Sequence, residues 1–154
     1  MKSTVLKYGS YGLIAGFIIF MLHLTLGIDN LDYSTNEILG YVSIFISLSF
    51  IFFGIKHYRD KVNNGLISLG KAIMIGVLIS VLVGLGIAIA DYIYTKFIDP
   101  DFFSRYTEMM IEQGKGDQVM EMTSTTAAIF MLILVTIIGF IISLISGLIL
   151  QRKN

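Results

Sequence analysis

The chain has 154 residues and no net formal charge, yet 55% of its residues are hydrophobic and only 14% are charged. Soluble domains carry about 25% charged residues, so the composition indicates a membrane protein, and the length fits one domain covering residues 1–154. The absence of cysteine excludes disulfides, zinc–thiolate sites and cysteine nucleophiles. No Lys/Arg run supports binding to nucleic acid.

Four stretches contain no Asp, Glu, Lys or Arg: residues 8–28, 38–55, 72–90 and 127–150. A helix rises about 1.5 Å per residue and the hydrocarbon core is about 30 Å thick, so each stretch is long enough to cross it. None shows the alternation of a barrel strand. The sequence therefore predicts an all-α membrane protein with four transmembrane helices.

The first stretch follows Lys2 and Lys7, which together resemble the basic region of a secretory signal peptide. Its apolar run exceeds the usual signal length, and no A-x-A-like cleavage site follows it. We therefore expect it to be retained as the first span.

Basic residues predict the orientation of the four spans. Three of them, Lys96, Arg105 and Lys115, fall on one side. The other eight fall on the opposite side: Lys2, Lys7, Lys56, Arg59, Lys61, Lys71, Arg152 and Lys153. Because positive residues favour the cytoplasmic face, we expect both termini inside a multi-pass protein of the bacterial inner membrane. The acids divide the other way, since only Asp60 is inside and ten are outside: Asp29, Asp32, Glu37, Asp91, Asp99, Asp101, Glu108, Glu112, Asp117 and Glu121.

Small residues recur every four positions in all four spans. The third span has the longest stripe, Ala72, Gly76, Ser80, Gly84 and Ala88. Shorter sets are Gly12 and Gly16 in the first span, Ser43 and Ser47 in the second, and Gly139, Ser143 and Gly147 in the fourth. Small side chains on one helix face allow close approach of backbones. The stripe is thus a candidate helix-packing surface, either within one bundle or between two copies of the chain.

His23 is the only histidine that we place inside a span. Intramembrane ionisable groups suggest a function such as proton transfer, but a neutral histidine can also hydrogen-bond between helices. With no Asp, Glu, Lys or Arg inside a span, the sequence does not predict the relay of an ion-coupled transporter.

The outer segment 91–122 contains a predicted short amphipathic helix between spans 3 and 4. Asp99 is the expected N-cap and Pro100 the first helical residue, and Gly114 ends the pattern. Aromatic and methionine side chains recur at helical spacing: Phe102, Phe103, Tyr106, Met109 and Met110. We expect this helix to lie on the membrane or cap the bundle. Met109, Met110, Met120 and Met122 also invite a copper(I) hypothesis, but no His or Cys accompanies them in sequence. We expect no cofactor.

The inner end of span 2 concentrates aromatic, basic and acidic groups: Lys56, His57, Tyr58, Arg59, Asp60 and Lys61. An orientation signal needs Lys or Arg alone. These six residues are therefore a candidate contact with a lipid or a protein, and Arg59 can pair with Asp60 or with a lipid phosphate. The alternative is an interface of snorkelling side chains with no specific partner.

The segment GYVSIFISLSFIFFGIKHYRDKVNNGLISLGKAIMIGVLIS, residues 40–80, resembles the bacterial membrane family called domain of unknown function 4199. Its most specific parts are IFFGIKHYRDK and GLISLGKA, and LKYGSYGLIAG and DPDFFSRYTE are also similar. The resemblance implies four spans and no particular activity.

No sequence motif of an enzyme is present, such as GxSxG, HExxH or a phosphate-binding loop. We expect a non-enzymatic membrane protein that acts through helix packing or through binding of membrane lipid, a second copy or another membrane protein. The alternative is a small channel or transporter subunit.

Overall fold

The computed structural model describes residues 1–27 and 33–152, and the chain is almost entirely helical there. Ile28, Asp29, Asp32 and Lys153, named above, lie outside the described residues. The helices are α1 Lys2–Gly27, α2 Tyr33–His57, α3 Leu69–Ile93, α4 Phe102–Glu112 and α5 Ser124–Leu150. Wide π-helical turns extend α2 over Tyr58–Val62 and α3 over Tyr94–Ile98, and a short 3₁₀ turn covers Gly116–Gln118.

The four long helices are long and apolar enough to cross a membrane, which confirms the predicted all-α fold. Each contains the predicted apolar stretch as far as the described residues reach, and α2 and α3 also continue past the charged residues at both ends of theirs. Helices of this length, about 38 Å for 25 residues, exceed the hydrocarbon core and carry their charged ends into the headgroup regions. Their outward faces stay apolar; Ile133, Ile137 and Ile141 of α5 are about half exposed, as lipid contact requires.

α3 is the central helix, because α1, α2 and α5 all pack against it. The side chains at the centre of the bundle are fully inaccessible: Leu48, Ile51, Ile55, Ile75, Ile79, Val83, Ile87 and Val135. Buried serines do not interrupt this dry core, since Ser47 and Ser143 donate to the carbonyls of Ser43 and Gly139 one turn earlier. Ser80 similarly donates to the carbonyl of Val77.

A seam of small residues joins α3 and α5. It is formed by Ala72, Gly76, Ser80 and Gly84 of α3 against Val135, Gly139, Ser143 and Gly147 of α5. Within it the two helices interlock reciprocally. A methyl group added to Gly76 would collide with Ser143, and one added to Gly139 would collide with Ser80. Each helix thus offers a glycine where the other offers a serine, which lets the two backbones approach closely.

α1 packs in parallel on another face of α3 through its own glycines. A methyl group at Gly12 would lie 2.5 Å from Val83, and one at Gly16 would lie 3.2 Å from Ile87. From the pair Gly12–Val83 to the pair Gly16–Ile87, both helices rise by four residues, about one turn. One further turn along both helices brings Phe20 of α1 level with Asp91 of α3.

The basic end of the bundle holds both the first and the last described residues. Ile67, just before α3, and Arg152, just after α5, exchange two backbone hydrogen bonds of 3.0 Å. The turn between α2 and α3 has Asn64 and Gly65 in the left-handed region, with φ of 51° and 82°, as the Asn-Gly pair predicts. The opposite, acidic end carries α4.

Helix α4 exists as predicted, but it starts later than its sequence signals suggested. Asp99 is not its N-cap: the helix begins at Phe102, and the cap residue Asp101 makes no side-chain cap bond. The carboxylate of Asp99 is instead held by the Arg105 guanidinium, one turn inside the helix. Gly114 does end the segment in the left-handed conformation, with φ of 71°.

Candidate functional site

A cavity of about 620 Å³ lies between α4 and the ends of α1 and α2, at the acidic end of the bundle. We call it the α4 cavity. Its walls are His23, Leu24, Asn36, Glu37, Phe102, Phe103, Arg105, Tyr106, Thr107, Met109, Gln118, Met120 and Met122. Cavities of about 300–1,000 Å³ with mostly apolar walls and a few polar groups are typical of small-molecule sites.

Some side chains of α4 pack against the bundle, and the cavity lies between the other side chains of α4 and the ends of α1 and α2. The Phe102 ring packs edge-on against the buried Tyr94, with ring centroids 6.1 Å apart. Met110 is also buried. The ion pair between Arg105 and Asp99 ties the first turn of α4 to the end of α3. The amphipathic face of α4 therefore points at the bundle without filling the space above α1 and α2.

The Arg105–Asp99 pair decides how much charge Arg105 offers to the cavity. Its two terminal nitrogens donate to the two oxygens of Asp99, one of them at 2.9 Å. The hydrogen bonds that Arg105 donates to Asp99 raise the pKa of Arg105 above its usual range, so the guanidinium stays charged and bound to its partner.

His23 stands on the opposite wall, on α1. Its ring lies 5.8 Å from that of Phe20, centroid to centroid, and its Nε2 lies 3.3 Å from where a methyl group on Gly40 of α2 would be. Gly40 therefore makes room for the imidazole where α1 and α2 meet. The structure gives His23 a place in a cavity wall, which the sequence did not predict.

Three of the four outer methionines, Met109, Met120 and Met122, line the same cavity as His23. No histidine lies near these methionines in the sequence, but the fold brings His23 of α1 to the same cavity. A cavity of about 620 Å³ is nevertheless far larger than a single metal ion, and most of its walls are apolar. Its shape suits an organic molecule better than a copper(I) ion.

At the basic end, Arg59 forms hydrogen bonds with other residues of the chain. Its Nε lies 2.6 Å from Oδ1 of Asp60 and its Nη2 lies 3.1 Å from Oδ2. Its Nη1 donates at 3.4 Å to the carbonyl of Leu150, the last residue of α5. The guanidinium thus joins the π-helical turn to the C-terminus of α5, where carbonyls lack helical partners. Of the two partners considered for Arg59, the structure shows Asp60.

The other candidate residues at the basic end fall into two groups. Tyr58 is buried, and the ammonium of Lys71 lies 6.0 Å from its ring centroid. The remaining four, Lys56, His57, Asp60 and Lys61, line a shallow cleft of about 200 Å³ with Tyr8 and Phe53. The His57 and Tyr8 rings are in contact there, with centroids 5.3 Å apart. This cleft is smaller and more polar at its rim than the α4 cavity.

The family described as "protein of unknown function (DUF4199)" matches residues 7–152. The chain belongs to this family. No curated protein and no solved structure matches it. The match includes α4 and every residue that lines the α4 cavity.

In this DUF4199 chain the predicted stripe on α3 lies inside the bundle. Ala72 and Ser80 are inaccessible and Ala88 is 7% exposed, while Gly76 and Gly84 face α5 in the seam. Gly12 and Gly16 face α3. The structure thus places these residues between helices of one chain.

The residue that the sequence missed is Asp91. We placed it outside the third span, but α3 continues past it to Ile93, and Asp91 is only 8% exposed. Helix α3 thus extends beyond the charge-free run that ends at Ala90, and the acid that follows this run is buried. No described residue hydrogen-bonds its Oδ2. Asp91 is not among the residues that line the α4 cavity.

Proposed function

We propose that the protein is a non-enzymatic membrane protein that binds a small amphiphilic molecule in the α4 cavity. The observation that carries this proposal is a large apolar space with polar groups at its edge, held open between α4 and the ends of α1 and α2. Its aromatic and methionine walls suit an aliphatic chain, and His23, Glu37 and Gln118 supply hydrogen-bonding partners for a polar head.

The runner-up, a channel or transporter subunit, requires a polar path through the bundle. Among the described residues the space between helices is filled by inaccessible Leu, Ile and Val side chains. The buried serines bond to carbonyls of their own helices. A mostly apolar cavity at one end, next to a closely packed core, favours binding over conduction.

The test uses a single tryptophan, since the chain has none of its own. Phe103→Trp places the reporter in the cavity wall, and Ile141→Trp places it on the lipid-facing surface of α5. In phosphatidylcholine nanodiscs, an uncharged brominated aliphatic alcohol should quench the tryptophan at position 103 with saturation. It should quench the one at position 141 only in proportion to its concentration in the bilayer. Identical, non-saturating quenching at both positions would refute the proposal.

We further propose that the basic end faces the cytoplasm of a bacterial cell and that the α4 cavity opens toward the outside. The described basic residues are concentrated at the end that holds both termini, as the positive-inside rule favours. With no native cysteine, Gly116→Cys and Val62→Cys can be labelled without background. An impermeant thiol reagent added to spheroplasts should label position 116 and leave position 62 unlabelled; the reverse pattern would invert the orientation.

A further inference from the structure

The charges on the walls of the α4 cavity are not balanced. Among the residues that the structure describes, two charged ones line it, Glu37 and Arg105. Arg105 is neutralised by its two hydrogen bonds to Asp99. Glu37 is exposed at the cavity and forms no ion pair with another described residue. The uncompensated charge at the cavity is therefore negative.

The surroundings have the same sign. The described part of the acidic end holds three basic residues, Lys96, Arg105 and Lys115, against eight acids: Glu37, Asp91, Asp99, Asp101, Glu108, Glu112, Asp117 and Glu121. Such a surplus attracts cations and repels anions within about one Debye length, roughly 8 Å at physiological salt. An anionic amphiphile entering the cavity would meet this potential with the one nearby guanidinium already occupied.

The apolar walls favour a cation for a separate reason. Phe102, Phe103 and Tyr106 present aromatic rings to the cavity, and Met109, Met120 and Met122 present polarisable thioethers. The faces of aromatic rings attract ammonium groups, most strongly where water is excluded. The same walls that accept an aliphatic chain can therefore also hold an organic cation. A hydrated inorganic cation does not suit these apolar walls.

From these two features we infer that the ligand of the α4 cavity is an amphiphilic cation, a molecule with an apolar body and an ammonium-type head, and that Glu37 is its counter-charge. This inference rests on the proposed function, because it names the chemical class of the molecule bound at that site. In this arrangement the aromatic residues of α4 pack against the apolar body of the ligand and also contact its positively charged nitrogen, and Glu37 balances the charge of that nitrogen.

The experiment uses the Phe103→Trp reporter with three probes that share one brominated alkyl chain and differ in the head: trimethylammonium, hydroxyl or sulfate. Quenching at Ile141→Trp measures how much of each probe enters the bilayer and corrects for unequal partition. After correction, the trimethylammonium probe should bind about tenfold more tightly than the hydroxyl probe, and the sulfate probe more weakly than either.

Glu37→Gln should remove most of the tenfold preference, because glutamine keeps hydrogen-bonding groups for a hydroxyl head but has no charge for an ammonium head. The affinity for the trimethylammonium probe should therefore fall much more than the affinity for the hydroxyl probe. Glu112→Gln is the matched control, since it removes the same charge from an exposed position of α4 that does not line the cavity. Equal affinities for the three heads, tighter binding of the sulfate probe, or equal effects of the two glutamine variants would overturn the inference. If the hydroxyl probe also fails to saturate, the binding function itself is refuted.

Discussion

The α3–α5 seam and the α4 cavity are two helix interfaces built from opposite kinds of side chain. In the seam, glycine faces serine and the backbones approach closely. Beneath α4, aromatic rings and methionines face α1 and α2 across open space. Small side chains make a contact that has little room to adjust, whereas large flexible ones leave a contact that can be filled by a ligand. The comparison assigns stability to the seam and binding to the region under α4.

The largest effect should come from overfilling the seam. In Gly76→Leu, the first added carbon alone would collide with Ser143 and lie 2.9 Å from Ile51 of α2. Because three helices meet there, no neighbour can move without disturbing another, and we expect a loss of about 3 kcal/mol in stability. Thermal unfolding in one mild detergent measures it.

Two controls make this prediction specific to the interlocking. Gly70→Leu also adds a side chain to α3, but nothing lies within 4 Å of that position, so its stability should stay unchanged. Gly76→Ala should be destabilising alone and be rescued by Ser143→Gly, which removes the group that the new methyl would strike. If Gly76→Leu unfolds at the wild-type temperature, Gly76 is not in close contact with Ser143 and Ile51, and the seam does not stabilise the bundle.

Much of the fold followed from the sequence because the membrane is a strict solvent. A helix is the simplest way to satisfy every backbone group in lipid, so charge-free runs of about 20 residues identify spans with few alternatives. The ends of the helices were harder to place. Backbone hydrogen bonding continues past the first charged residue, and for this reason Asp91 belongs to α3 although it ends the charge-free run.

The site could be predicted only in part. The spacing of Phe102, Phe103 and Tyr106 predicted a capping helix, but no pattern linked it to His23 and Glu37, which come from distant segments. At the basic end, the neighbour Asp60 was foreseeable as a partner for Arg59. The Leu150 carbonyl was not, because it lies 91 residues away in sequence. Long-range pairings depend on how helices pack, and one sequence does not specify that packing residue by residue.

A smaller effect, of opposite sign, is expected near the end of α3, outside both regions. Asp91 is 8% exposed, and its Oδ2 receives no hydrogen bond from a described residue. Burying a carboxylate oxygen that receives no hydrogen bond opposes folding, whereas the amide of asparagine has nearly the same shape and no charge. Asp91→Asn should therefore raise the stability at neutral pH by about 1 kcal/mol, measured by thermal unfolding in the detergent used for the seam variants.

Asp101→Asn is the matched control for Asp91→Asn, since Asp101 is an exposed acid on the same end of the bundle. Removing its charge should leave the unfolding temperature unchanged, because water already solvates it. A gain confined to position 91 would show that the cost comes from burial of this carboxylate and not from the general surplus of acids at this end of the bundle. A loss of stability in Asp91→Asn would contradict this and show that the charged carboxylate has a favourable partner in the folded protein.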